Sequence, residues 1–180
     1  MALSKEQIKS VEEVLKASLR NKFQNYNPEP AYMPFHTRLL GKDRLALYSF
    51  IHSLNTNFGI SIFEPVGLAL AQKNFKTATA QAIAGEYISS EAQNAIQKII
   101  DGLTTAKIAP DKEKEIEIIR KACRQGTMIK VKPTRIDLMM ESKAGEYFLF
   151  DIKTAKPNAG GFKEFKRTLL EWVAVFLVNN

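Results

Sequence analysis

The stretch that decides the fold is EYFLFDIKTAKPNAGGF, residues 146–162. It opens with apolar residues suited to the inside of a sheet and then places Asp151 and Lys153 two positions apart. Because successive side chains of a strand alternate between its two faces, this acid and this base lie on the same face. A glycine-rich loop follows, so the charged pair stands close to the end of the strand.

A second stretch, TRIDLMM (residues 134–140), alternates polar and apolar residues in the way typical of a half-buried strand. The short SKAGE turn joins the two stretches, which predicts an antiparallel hairpin centred on Ala144. In that register Asp137 lies opposite Asp151, and Arg135 lies opposite Lys153, at a separation of about 4.5–5.5 Å. The other face carries the predicted core residues: Ile136, Leu138, Phe148, Phe150 and Ile152.

The charged face predicts a metal site. Two opposed aspartates repel each other, and a bound divalent cation removes that cost. Mg²⁺ prefers carboxylate, water and phosphate oxygens, so Asp137 and Asp151 are the predicted Mg²⁺ ligands. Lys153 stands beside them, where it could polarise a water molecule or offset charge on a phosphate. A solvated hairpin face of mixed charge has the same pattern, and the residues alone leave that alternative open.

Further candidates lie outside the hairpin. Glu64, at the start of a predicted helix, is the candidate for an additional catalytic acid, and an acid favoured only by the helix dipole is its alternative. In KPNAGGFKEFKR, Lys163, Lys166 and Arg167 share one face at the start of a helix, and Lys156 precedes them. These four basic residues are the predicted contacts to DNA phosphates, with a solvated basic face as the alternative.

Composition narrows the class of protein. A chain of 180 residues is long enough for one domain with its own core. The single Cys123 excludes an internal disulfide, which favours a cytoplasmic location. The most apolar tract, residues 169–178, is too short to span a bilayer. The net charge of +7 favours a polyanionic partner.

The order of predicted elements indicates an α+β fold with a small mixed sheet flanked by helices. Residues 1–126 are mainly helical, with a capping box at Ser4 and Gln7 and a helical tract over residues 77–84. Period-two alternation begins after residue 126, and a long helix follows from residue 162. We therefore expect one domain, in which residues 1–126 pack on a core hairpin and helix formed by residues 127–180.

Together these residues resemble a known family. Asp137, followed by FDIKT with Asp151 and Lys153, resembles the PD-(D/E)XK nuclease signature. More narrowly, YMPFHTRLLGKDRLALYSFIHSLNTNFGISIFEPV and DIKTAKPNAGGFKEFKRTLLEW resemble the TdeIII-type family of type II restriction endonucleases, over residues 32–172. The resemblance makes Asp137 the first acid, Asp151 the second and Lys153 the lysine, while Glu64 matches the helix acid loosely.

The resemblance implies a Mg²⁺-dependent endonuclease that cuts double-stranded DNA at a short palindromic site, with GGNCC as the sequence. It also implies a cognate DNA methyltransferase as a functional partner, and a homodimer with one active site for each strand. The residues alone leave two alternatives: a repair or junction-resolving nuclease of the same fold, and a non-catalytic DNA-binding domain. The nuclease core usually ends in one more strand, so the chain ending in FLVNN is expected to be a minimal or C-terminally incomplete core.

Overall fold

A computed structural model describes residues 3–27, 33–154 and 158–179, which form an α+β arrangement of helices and two small sheets. None of the helices in these ranges has the length and apolar composition needed to cross a membrane. The elements are, in chain order, α1 (Lys5–Asn25), α2 (Pro34–Leu40), α3 (Lys42–Phe58), α4 (Glu64–Ala71), β1 (Phe75–Ile83), β2 (Tyr87–Ser89), α5 (Ser90–Thr104), α6 (Lys112–Ala122), β3 (Met128–Lys130), β4 (Arg135–Ser142), β5 (Tyr147–Phe150) and α7 (Ala159–Asn179).

The N-terminal helices follow local sequence signals. The predicted capping box of α1 is confirmed, because the Ser4 hydroxyl accepts from the Gln7 amide and the Gln7 side chain accepts from the Ser4 amide. Helices α3 and α4 are joined by a π-helical segment, Gly59–Phe63. Such segments are rare and often occur at functional sites. This one directly precedes Glu64.

The larger sheet has the order β1-β4-β5, and β4 runs antiparallel to both neighbours. The predicted hairpin register is confirmed where the strands pair, since Leu138 lies opposite Phe150 and Glu141 lies opposite Tyr147. Because β1 and β5 both run against β4, the sheet of the described residues is antiparallel, and the expectation of a mixed sheet is wrong. A separate ribbon pairs β2 with β3.

Strand β1 is the largest departure from the sequence prediction. Its sequence, FKTATAQAI, is rich in alanine, which favours helix, and residues 77–84 were expected to be helical. Instead the strand pairs along its length with β4, as in the pairs of Ala80 with Leu138 and of Ala82 with Ile136. Tertiary pairing outweighs local propensity here. The central sheet therefore takes one strand from the predicted helical part and two from the predicted hairpin.

Burial differs between the two strands of the hairpin. Ile136 and Leu138 of β4 are buried, as predicted. Phe148 and Phe150 of β5 are 39% and 41% exposed, so the prediction that they lie in the core is wrong. The side chains of β5 are more exposed because β5 lies at an edge of the sheet, whereas β4 has a neighbouring strand on each side.

Two clusters of buried side chains hold the helices against the strands. The smaller one joins Ala82 and Ile136 of the sheet to Trp172 of α7, whose indole N–H donates to the Thr134 hydroxyl at 2.7 Å. This contact fixes α7 beside the start of β4. The larger cluster packs α5, α6, α7 and β2 together and includes Ile88, Ala92, Ile96, Ile99, Ile100, Ile119, Leu170, Ala174 and Val175.

Candidate active site

The candidate site forms where the hairpin strands stop pairing. The last backbone pair of β4 with β5 joins Leu138 to Phe150, one residue short of Asp137 and Asp151. Beyond this pair a side chain, and no longer a backbone pair, links the two strands. Asp137 Oδ2 accepts a hydrogen bond from the Ile152 amide at 2.7 Å. This bond holds the segment that carries Asp151 beside β4. The two predicted acids are thereby brought together.

The electrostatics of Asp137 reflect this arrangement. Burial raises the pKa of Asp137, the hydrogen bond from Ile152 lowers it, and the negative charge of Asp151 raises it further, with a net rise. The repulsion expected from two neighbouring acids is therefore present. A cation placed between the two carboxylates would remove it.

Lys153 is held by two contacts. Its ammonium donates a hydrogen bond to Asp151 Oδ1 and lies 4.5 Å from the ring centroid of Phe165 in α7. An ammonium at this distance from an aromatic ring is attracted by the ring's negative face. Arg135, expected opposite Lys153, pairs instead with Ile83 of β1, because the pairing of β4 with β5 ends before it.

The donor chemistry of the site fits Mg²⁺. Within residues 3–27, 33–154 and 158–179 no group of three or more Asp, Glu, His or Cys side chains is arranged to hold a metal ion. Proteins commonly hold Mg²⁺ with only one or two carboxylates, while water and phosphate oxygens complete its coordination. Asp137 and Asp151 supply such a pair of carboxylates, joined through the hydrogen bond from the Ile152 amide to Asp137.

Glu64 is buried and is tied to the central sheet. It is 3% exposed at the start of α4, and its Oε1 accepts a hydrogen bond from Gln81 Nε2 at 2.7 Å. Gln81 stands in β1 between the residues paired with Ile136 and Leu138, the two neighbours of Asp137 in β4. Glu64 also lies in the first turn of α4, where the helix dipole favours an acid, so its catalytic role stays a prediction.

Sequence reasoning missed Gln81. Residues 77–84, which include Gln81, are predicted from the sequence to be helical, and a helix has no pairing register with the strand β4. A strand assignment for residues 75–83 would have provided the signal, since its register then places an amide between the partners of Ile136 and Leu138, the two neighbours of Asp137.

The π-helical segment also approaches the site. A Cβ added to Gly59 would lie 4.0 Å from the Cγ2 of Thr154, the residue that follows Lys153. The helical run that ends in Glu64 therefore passes beside the end of the D-x-K strand. The helical run from Gly59 to Glu64 therefore has two links to the region around the acid–lysine cluster. One is the approach of Gly59 to Thr154, and the other is the hydrogen bond from Gln81 to Glu64.

Two of the predicted DNA-binding residues make contacts within the protein. Lys166 forms an ion pair with the buried carboxylate of Glu115 in α6. Arg167 donates to Gln97 Oε1 of α5 at 2.7 Å. Both side chains therefore connect α7 to its neighbouring helices.

The other two predicted DNA-binding residues lie before Lys166. Lys163 is exposed in the second turn of α7 and makes no ion pair with another described residue. Lys156 lies outside the described residues. Just before α7, the Asn158 side chain accepts a hydrogen bond from the Gly161 amide at 2.8 Å, which begins the helix that carries Lys163.

The fold and the acid–lysine cluster suit a DNA-cutting enzyme, and comparison with known families assigns that class. The model of one family, described as "Type II restriction endonuclease, HinfI", matches residues 3–180. The chain therefore belongs to the HinfI family of type II restriction endonucleases. No curated protein and no solved structure matches the chain.

The family match confirms the predicted class, a hydrolytic endonuclease of a restriction system that acts on DNA. The matching family is that of HinfI, and the match does not support the narrower resemblance to the TdeIII type. The PD-(D/E)XK core, the metal, the base sequence and the site residues stay predictions.

Proposed function

We propose that the chain is a Mg²⁺-dependent deoxyribonuclease that cleaves both strands of DNA at a short palindromic site. The observation that carries the proposal is the gathering of Asp137 and Asp151 beside Lys153 at the end of the hairpin. Membership of a restriction endonuclease family supplies DNA as the substrate. In the proposed PD-(D/E)XK core, α4 carries the helix acid Glu64, β4 the first acid, and the segment after β5 the second acid and the lysine.

Hydrolysis adds a water oxygen to phosphorus and releases the 3′ oxygen of the cleaved strand. When bound, Mg²⁺ supplies Lewis acidity toward the scissile phosphate. Asp137 and Asp151 would hold the ion, and the Ile152 amide orients Asp137 before substrate arrives. The Lys153 ammonium, held by Asp151, positions the attacking water and stabilises negative charge as it develops on the phosphate.

The basic residues at and before the start of α7 are the proposed contacts to DNA phosphates. Lys163 is exposed and forms no ion pair with any residue that the structure describes, and Lys156 precedes it in the chain. Contacts of this kind add affinity without reading sequence, and they weaken as salt rises. Lys166 and Arg167 contribute less to DNA binding, because each already binds a neighbouring helix.

Plasmid digestion with and without Mg²⁺ tests the proposal and separates it from the alternatives. We expect discrete fragments with Mg²⁺ and none with a chelator. Cleavage restricted to branched DNA would instead indicate a junction-resolving nuclease. Salt-sensitive binding without any cleavage would indicate a non-catalytic DNA-binding domain.

Sequencing the fragment ends tests specificity. The expected result is one palindrome shared by all ends, and GGNCC is the sequence that the TdeIII resemblance implies. A different shared palindrome would contradict GGNCC while leaving the nuclease proposal intact. DNA modified by the cognate methyltransferase is expected to resist cleavage at the same sites.

A second copy of the chain is the proposed partner, because a palindrome presents two equivalent strands. The surface that supports this lies on α2 and α3. Leu47, Tyr48 and Ile51 stand at helical spacing on α3 and are 60%, 52% and 47% exposed, and Phe35 and Leu39 of α2 are more exposed still. Extended apolar surface of this kind marks interaction sites in soluble proteins.

Sedimentation or light scattering of matched variants tests this dimer. Replacing both Leu47 and Ile51 with Ser is expected to convert a dimer into a monomer of 20.3 kDa. Ile118→Ser, at an exposed apolar residue of α6, is the control and should stay dimeric. A wild-type chain that is monomeric while it cuts both strands would contradict the dimer.

A further inference from the structure

The backbone of Gln81 is unusual for its place in the fold. Its φ is +53° inside β1, although its neighbours Ala80 and Ala82 both pair with β4. Residues with a side chain rarely adopt this left-handed conformation, whereas glycine does so without steric cost. Strand pairing alone does not require a glutamine here. An isolated unusual backbone conformation of this kind indicates that the Gln81 side chain has a specific function.

The Gln81 side chain has one clear task. Its Nε2 donates to Glu64 Oε1 at 2.7 Å, and Glu64 is only 3% exposed. A buried carboxylate needs a hydrogen-bond partner. An amide satisfies this need without neutralising the carboxylate, whereas a lysine or arginine would form an ion pair and compete with a metal ion. Gln81 is a neutral partner of this kind.

We propose that Gln81 is a positioning residue of the nuclease site, which holds the buried Glu64 carboxylate toward the Asp137–Asp151 pair and so strengthens binding of a divalent cation. The register supports this, because the neighbours of Gln81 pair with Leu138 and Ile136, the residues on either side of Asp137, while the Gln81 side chain reaches α4. The same helical run also approaches Thr154, the residue after Lys153, at Gly59. The proposal rests on the proposed function, in that the two aspartates form a metal site.

Two substitutions separate this role from a structural one. Gln81→Gly relieves the backbone but leaves the buried Glu64 carboxylate without its partner, and because these two effects oppose each other the melting temperature without added metal should stay within a few degrees of wild type. Gln81→Asn tolerates the left-handed conformation and keeps an amide, but it is one methylene too short to reach Glu64. Ala80→Gly, which weakens the same strand without touching the hydrogen bond, is the matched control.

The affinity for Mn²⁺ alone, measured by titration calorimetry or by the electron spin resonance of the free ion, is the deciding quantity. We expect both Gln81 variants to bind Mn²⁺ about 10-fold more weakly than wild type, the lower end for residues that orient ligands. Ala80→Gly should bind as wild type does. DNA cleavage by the Gln81 variants should fall at low Mg²⁺ and recover when Mg²⁺ is raised.

Wild-type Mn²⁺ affinity in both Gln81 variants would overturn the positioning role and leave the metal site standing. An affinity that falls only together with the melting temperature, in Ala80→Gly as well, would also overturn it. Failure of the wild-type chain to bind Mn²⁺ would instead overturn the metal site itself. The two failures are therefore distinguishable.

Discussion

At the scale of single residues, Asp137 connects the fold to the proposed chemistry. Its carboxylate receives the Ile152 amide and stands next to Asp151, while burial and that neighbouring charge raise its pKa. One side chain thus ends the pairing of the hairpin and forms half of the candidate metal site. A divalent cation bound between the two carboxylates would offset the repulsion that contributes to this rise.

Lys153→Arg tests whether the lysine acts as more than a positive charge. Arginine preserves the charge beside Asp151 and can stack on Phe165, but its planar group cannot place a single ammonium near the phosphate. We expect cleavage to fall by about 10²-fold or more, as when one oriented donor is lost from a transition state. DNA affinity, measured in Ca²⁺ by fluorescence anisotropy, should change little. Cleavage within twofold of wild type would show that charge alone suffices.

Glu171 provides a pH-dependent prediction away from the candidate metal site. Burial raises its pKa, Arg167 lowers it, and Glu164 raises it, with a net rise. The stability contributed by its protonated form is complete below the pKa of the unfolded chain and is lost as pH rises through the higher folded pKa.

Glu171→Gln is therefore expected to raise the melting temperature near neutral pH by about 1–3 °C and to leave it unchanged in acid. Scanning calorimetry of both proteins over a range of pH checks this, and cleavage should be unaffected. A variant less stable than wild type at neutral pH would mean that the ionised carboxylate is stabilising.

The acid–lysine cluster could be predicted at this scale because it follows from alternation and a turn. Placing the hairpin centre at Ala144 was enough to bring Asp137 and Asp151 together, and the observed register agrees. Gln81 could not be found in that way. The proposed role of Gln81 depends on its positive φ and on its contact with α4, and the local sequence pattern predicts neither.

At the scale of elements, the molecule departs from local propensity where the sheet recruits a strand. The alanine-rich β1 forms because β4 offers backbone partners along its whole length, a long-range contact that no sequence window contains. Helix boundaries fixed by caps were predictable, as at Ser4 for α1 and at Asp111, whose side chain accepts from the Lys114 amide, for α6. The capped starts of these helices could be predicted from neighbouring residues, whereas β1, which forms through its pairing with the distant β4, could not.

The packing of α7 on α6 gives a prediction that separates structural from DNA-contacting lysines. Lys166→Ala leaves the buried Glu115 carboxylate without its ion pair, which should lower the free energy of unfolding by about 1–3 kcal/mol. Lys163→Ala should leave that free energy unchanged, because its side chain is exposed. Urea denaturation of both variants measures the difference.

DNA binding should show the opposite order. Lys163→Ala is expected to reduce the slope of log affinity against log salt by about one, as expected when one phosphate contact is lost. Lys166→Ala should keep the wild-type slope under conditions where it is folded. If the two variants exchanged these effects, the assignment of Lys163 to DNA and Lys166 to packing would be reversed.

At the scale of the whole molecule, charge and surface both favour a nucleic-acid enzyme that works in pairs. The net charge of +7 attracts DNA at long range, and the apolar side chains exposed on α2 and α3 form the surface proposed for a second copy. The class was predictable from the resemblance of the chain to restriction endonucleases, and the family match over residues 3–180 confirms that class but not the TdeIII type. The recognised base sequence could not be predicted, because it depends on contacts between side chains and the edges of bases in a DNA groove.

The proposed dimer, with two active sites on one palindrome, predicts concerted cutting. Supercoiled plasmid with a single site should pass to the linear form with little nicked circle accumulating. Gel analysis of a time course measures the three forms. Complete conversion to nicked circle before any linear product appears would indicate that single active sites act independently.

The measurement that tests the central claim most directly compares wild type with Asp151→Ala in plasmid cleavage with Mg²⁺, alongside the melting temperature and DNA affinity of both. We predict discrete fragments from wild type and none from the variant, with the fold and most DNA affinity retained, because Asp151 holds Lys153, is a proposed metal ligand and is not one of the buried core residues. Cleavage by Asp151→Ala at the wild-type rate and at the same sites would contradict the assignment of the active site.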